Sequence, residues 1–172
     1  MKTNIKKAIC AAAAALLTIV FSVAVIGCDK EPEEPKYEPP KNCDVVLEAE
    51  GGWEAHYEEE SYENFITLCD TYEELQEELL RRGIKLLEVN ASKVREYADE
   101  HEDKSFVVSF YRGSSSEGGR LREVEVNDGK LTMYIWYERS DSINCDIVNH
   151  IFIAGVDKSF VANVTECEYV FV

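Results

Sequence analysis

The sequence predicts an α+β domain: an antiparallel β-sheet or small β-sandwich with one or two helices packed on it, stapled by disulfides. Three observations predict it. A capped amphipathic helix falls at residues 72–82, the apolar period switches to two beyond residue 105, and an Asp-Gly turn joins two alternating runs.

Asn64-Phe-Ile-Thr-Leu-Cys69 is apolar and β-inclined, and it runs into the helix start, where Thr71 and Glu74 match a capping box. Leu75 and Leu79 lie one turn apart with Tyr72 and Gln76 beside them, while Glu73, Glu74, Glu77 and Glu78 face water. Arg81 and Arg82 suit the C-terminal dipole, and Gly83 occupies the C′ position. A second helical pattern covers Ser92 to Glu100, with Val94, Tyr97 and Ala98 as its apolar side. Phe106, Val108 and Phe110 then alternate with Val107, Ser109 and Tyr111, the signature of a strand buried on both faces. Gly113 to Gly119 reads as a flexible connection. Leu121–Val126 and Leu131–Tyr137 flank Asn127-Asp128-Gly129-Lys130, which favours a type I′ hairpin. That register pairs Val126 with Leu131 and Val124 with Met133 on one face, and Glu125 with Thr132 and Glu123 with Tyr134 on the other. Ile147–Ala154 and Val164–Val172 are further β-like runs.

Residues 43–172 are thus one α+β domain, and what precedes them is of another kind. Lys2, Lys6 and Lys7 lead an uncharged run of 19 residues, Ala8 to Ile26, which ends in Val25-Ile26-Gly27-Cys28. That ending resembles the lipobox of bacterial lipoprotein signal peptides. The resemblance implies that residues 1–27 are a signal peptide and that Cys28 carries the lipid; an uncleaved membrane anchor is the alternative. Two acyl chains on Cys28 would anchor stably. Residues 28–42 hold all four prolines among charged residues and read as a stiff tether of about 3 Å per residue, roughly 40 Å in reach. The expected location is the cell membrane, lipid-anchored and facing the extracytoplasmic side.

Eighteen Lys and Arg against 34 Asp and Glu give a net charge of -16. That balance excludes nucleic acid as a partner, since phosphate would be repelled. Four cysteines follow the tether: Cys43, Cys69, Cys145 and Cys167. In an exported protein an even count points to two disulfides, each contributing roughly 2–4 kcal/mol, with all three pairings open. No close Cys or His spacing suits zinc, and Asp141 to Asp146 lacks the loop and terminal Glu of a Ca²⁺ site, so neither metal nor cofactor is expected.

His56, His101 and His150 stand in no recognisable motif, and Ser114-Ser115-Ser116 reads as a connector rather than a nucleophile with a positioned base. A non-enzymatic module is therefore expected. Glu58-Glu59-Glu60, Glu63 and Glu73-Glu74 form a solvated acidic face. Trp53, Tyr57, Tyr134 and Trp136 are the aromatics placed to be partly exposed. If the Tyr134–Trp136 face is the solvent side, it makes an aromatic-acidic patch of the kind that binds proteins or sugars, with Trp53, Tyr134 and Trp136 as the binding residues. A covering layer is the competing expectation.

Phe106-Val-Val-Ser-Phe-Tyr-Arg-Gly113, followed by Gly118-Gly119 and Val124-Glu-Val-Asn-Asp-Gly-Lys-Leu131, resembles the PrcB-like C-terminal domain of protease-complex-associated lipoproteins. Glu117 and Arg120 stand where that pattern carries Thr and Tyr. The resemblance implies a β-rich, protein-binding accessory module whose partner is an extracytoplasmic protein, such as a protease complex. A carbohydrate-binding surface module is the alternative.

Overall fold

The computed structural model describes residues 38–50, 53–55, 63–114, 117–139 and 147–172. Cys28, most of the tether, His56, Tyr57, Glu58 to Glu60, Ser115, Ser116 and Asp141 to Asp146 with Cys145 lie outside them. So does the whole segment that resembles a lipobox. Among the described residues no helix is long and apolar enough to cross a membrane.

The fold is α+β and mostly antiparallel sheet. β1 (Asp44–Glu50), β3 (Phe65–Cys69), β5 (Lys104–Ser114) and β8 (Ile147–Asp157) form a four-stranded sheet ordered β1-β8-β5-β3. β6 (Glu117–Asn127), β7 (Lys130–Arg139) and β9 (Glu166–Phe171) form a second, ordered β6-β7-β9. Two helices, α1 (Tyr72–Arg81) and α2 (Glu88–Glu100), and a short β2 (Trp53–Ala55)–β4 (Ile84–Leu86) ladder complete it with a one-turn α3 (Lys158–Val161).

Strand alternation builds two cores. On β5, Phe106, Val108 and Phe110 join Leu75 and Leu79 of α1 and Val94 of α2; Val107 and Tyr111 point the other way and meet Val124, Leu131, Met133 and Ile135. The order is therefore helices, four-stranded sheet, three-stranded sheet, and β5 is buried on both faces as its apolar pattern requires. The strand also buries Ser109, whose hydroxyl finds no hydrogen-bond partner. A buried, unsatisfied hydroxyl costs free energy. Ser109→Ala should therefore raise the unfolding free energy by about 1 kcal/mol in urea titration; a loss of stability would mean that the hydroxyl is bonded.

Helix α1 matches its sequence signature. Thr71 Oγ1 accepts from Glu74 N–H (3.2 Å), Glu74 Oε2 accepts from Asp70 N–H (2.8 Å), and Gly83 takes φ 75° past the C-terminus. Glu78 is only half solvated. Burial alone would favour its neutral acid, but hydrogen bonds from Arg81 and Arg82 hold its carboxyl below the usual range. Helix α2 begins four residues earlier than its pattern indicates, because its first turn closes on the Leu87 carbonyl with no side-chain cap to mark it. The 113–119 connection is mostly strand: Gly113 pairs with Val148 and Gly119 with Tyr137. The hairpin has the expected register in all four pairs, with Asp128 (φ 51°) and Gly129 (φ 80°) supplying the two positive φ angles of a type I′ turn. β9 departs from the antiparallel expectation. It runs parallel to β7.

The tether's last residues are bound rather than free. Lys41 donates its N–H to Arg122 O (3.0 Å) and accepts from Val124 N–H (3.1 Å), satisfying two groups on the edge of β6. Pro39 and Pro40 have no N–H to extend that pairing. Beside it, Glu48 Oε1 accepts Leu121 N–H (2.6 Å) where β6 bulges; burial raises this carboxyl's pKa, partly offset by that bond.

The disulfide expectation needs correction. Cys43, Cys69 and Cys167 are free thiols. Any pairing of four cysteines into two bridges joins two of these three, so the two-bridge staple is not formed. The reason is placement. Cys43 leads into β1 and Cys69 ends β3, at opposite edges of one sheet. Three strand steps are about 14 Å, against the roughly 7 Å between Cα atoms that a bridge tolerates. Cys43 beside β6 and Cys167 on β9 flank β7, and Cys69 and Cys167 pack into different cores. Burial, reinforced by neighbouring carboxylates, pushes the Cys43 and Cys69 thiols up to about 12, which leaves almost no thiolate to attack an oxidant. Denatured without reductant, all three should alkylate fully, with Cys69 protected until unfolding; a mapped peptide bridged between any two would contradict the placement.

Candidate functional site

β7 is the central strand of the outer sheet, and its alternation decides what each face shows. Leu131, Met133 and Ile135 are fully buried against the four-stranded sheet. Thr132, Tyr134 and Trp136 therefore point outward, and each is half-buried. All three helices pack against other strands, and among the described residues none lies on this face. The covering-layer expectation is thus not met by any described element.

Cross-strand register assigns the neighbours. Glu125 stands opposite Thr132, Glu123 opposite Tyr134, and Arg120 opposite Trp136. The parallel partner β9 places Glu166 beside Lys130, Glu168 beside Thr132 and Val170 beside Tyr134. Tyr134 Oη donates to Glu125 Oε2 (3.1 Å), and Thr132 Oγ1 donates to Glu168 Oε1 (3.1 Å). Lys130 Nζ lies 2.6 Å from Glu168 Oε2. The hydrogen bond to Glu125 raises the Tyr134 hydroxyl's pKa, and Glu123 and Glu168 add to it. Lys130 conversely holds Glu168 below the usual carboxylate range. The result is a strip of two aromatic residues on the outer sheet face, edged by carboxylates along β6 and β9.

The structure brings Tyr134 and Trp136 together but not Trp53, which pairs with Leu86 in the separate β2–β4 ladder. Glu63, Glu73 and Glu74 are exposed, as a solvated face requires. His101 ends α2 with its ring stacked on Tyr97 at 4.3 Å, and His150 is buried with its ring stacked on Tyr111 at 4.5 Å. Ser114 ends β5, opposite Ile147. No group of three or more His, Cys, Asp or Glu side chains among the described residues is arranged to hold a metal.

Sequence reasoning missed Lys130, Glu168 and Val170 as members of the face. The alternation of Glu166, Glu168 and Val170 against Cys167, Tyr169 and Phe171 is legible in the sequence, but nothing local says which strand β9 joins or in which direction. Compared with known proteins, the chain matches no family model, no curated protein and no solved structure.

Proposed function

We propose that this protein is a membrane-anchored extracytoplasmic lipoprotein acting as a non-enzymatic protein-binding or accessory module, with the outer face of the β6-β7-β9 sheet as its binding surface. Anchoring rests on the lipobox at Cys28 and the proline-rich tether. The observation that carries the binding reading is the half-exposed Tyr134–Trp136 pair on a sheet face that no described element covers. Aromatic side chains contribute most to stability in a core; placed outward on a rigid strand, they supply contact area at small entropic cost to a partner. The resemblance to PrcB-like domains suggests a protease complex as that partner.

The test has two arms. Palmitate labelling should mark the protein and Cys28→Ala should release it; persistent attachment of the unlabelled variant would remove the anchor. A photo-crosslinking aromatic in place of Trp136 should capture a defined extracytoplasmic protein that the same group at Glu77, on α1, does not. Equal capture from both positions, or none from either, would remove the binding face. A carbohydrate-binding module is the second reading, favoured by two rings standing on one strand face. Glycan-array binding abolished by Trp136→Ala would select it.

A further inference from the structure

The carboxylates on the outer face are not equally matched. Glu168 is neutralised by Lys130. Glu123 and Glu125 form no ion pair with any Lys or Arg among the described residues, and both flank Tyr134 from the β6 side. They stand two residues apart on one face, about 7 Å along the strand. Glu125 accepts the Tyr134 hydroxyl hydrogen at 3.1 Å, which pushes electron density toward the ring and makes its face a better cation acceptor. At the other end of the strip the residue in register with Trp136 is Arg120 rather than a carboxylate.

We propose that the Tyr134 end of this face receives a Lys or Arg side chain presented by a basic segment of a partner protein, with Glu123 and Glu125 as its counter-charges. The inference rests on the protein-binding reading above and specifies the partner's chemistry. Charge complementarity selects the occupant. Two carboxylates that form no ion pair among the described residues repel an anionic headgroup; a neutral glycan could donate hydroxyl hydrogens to them but leaves their charge in place, whereas a cation supplies the counter-charge. A long side chain could lay its methylenes on Tyr134 while its head reaches the acids. Trp136 supplies an apolar platform for the next part of the segment. The partner's basic residue is therefore placed at one end of the contact rather than spread along it. Helix α1 carries Glu73, Glu74 and Glu77 but no aromatic floor, which makes it a control of similar charge.

The probe is fluorescent octalysine, titrated by anisotropy into the full-length protein in non-ionic detergent. Binding is expected at low salt, weakened roughly tenfold by Glu123→Gln/Glu125→Gln and by Tyr134→Ala, as loss of a partly desolvated cation–π contact and its counter-charges requires. Glu73→Gln/Glu77→Gln removes the same charge and should leave binding unchanged. The Gln pair is close in shape to wild type, and an unchanged melting temperature establishes that it folds. No octalysine binding, or equal weakening by the α1 pair, overturns the cation proposal. If octalysine fails while cellohexaose binds, or the Trp136 crosslink still forms, the platform stands and only its cationic partner is lost.

Discussion

Gly155→Ala should destabilise the protein by about 2–3 kcal/mol, lowering the melting temperature by roughly 5–10 °C. Gly155, on β8, lies directly under the phenol of Tyr97 from α2, and an added Cβ would overlap the Tyr97 hydroxyl and come within 2.7 Å of Cε1. The ring has little room to yield. Its hydroxyl donates to Asp44 Oδ2 at 2.7 Å, one face stacks on His101 at 4.3 Å, and its edge meets Phe106 with centroids 6.1 Å apart. The glycine is needed for close approach, which is how α2 seats on the sheet. In Tyr97→Ala the same glycine substitution should cost much less, so a double-mutant cycle between the two positions isolates the clash. Additive costs would refute it.

The same contact carries a pH dependence. The Tyr97 hydrogen bond, aided by Lys104, lowers the Asp44 carboxyl's pKa below its ordinary value of 3.8. A folded-state pKa below the unfolded one contributes stability that is present above the ordinary carboxylate range and lost as pH falls through the folded value. Tyr97→Phe should therefore flatten the acid limb of the stability curve; an unchanged limb would show that the bond carries no linkage.

Phe110→Ala should cost about 3–5 kcal/mol, while Tyr134→Ala, on the outer face, should cost about 1 kcal/mol or less. Phe110 is fully buried between the central sheet and the helices, stacked on Phe65 with centroids 5.6 Å apart. Its truncation leaves a cavity that neighbouring strands cannot close. Tyr134 loses one cross-strand hydrogen bond, and water replaces it. Urea titration of both variants reads the contrast. A Tyr134 cost approaching that of Phe110 would mean that the outer ring is structural and would withdraw the main reason for assigning it to binding.

Some of this architecture is written locally. Thr71 and Glu74, with Leu75, Leu79 and Gly83, fix α1 because capping, amphipathicity and a left-handed stop are all decided within a dozen residues. Asp128-Gly129 fixes the hairpin register, because few turns other than type I′ match the twist of the strands, and that register suffices to put Tyr134 and Trp136 on one face. The double alternation of Phe106 to Tyr111 likewise announces a strand covered on both sides.

What the chain's sequence could not decide was which elements lie beside which. β9 runs parallel to β7 because β8, between them in sequence, returns through the other sheet, so the chain re-enters the outer sheet in β7's direction. That crossover sets Val170 beside Tyr134 and Glu168 beside Thr132 and matches Lys130 to Glu168, while Glu123 and Glu125 form no ion pair among the described residues. The cysteines teach the same lesson: an even count signals bridges only if tertiary placement brings sulfurs into bonding geometry, and Cys43, Cys69 and Cys167 stand as free thiols. Local sequence determined the elements and the two faces of each strand, because propensity and periodicity act over a few residues. Only the packed structure decided which face no described element covers and which described carboxylates meet a cation, because those depend on contacts between segments distant in the chain.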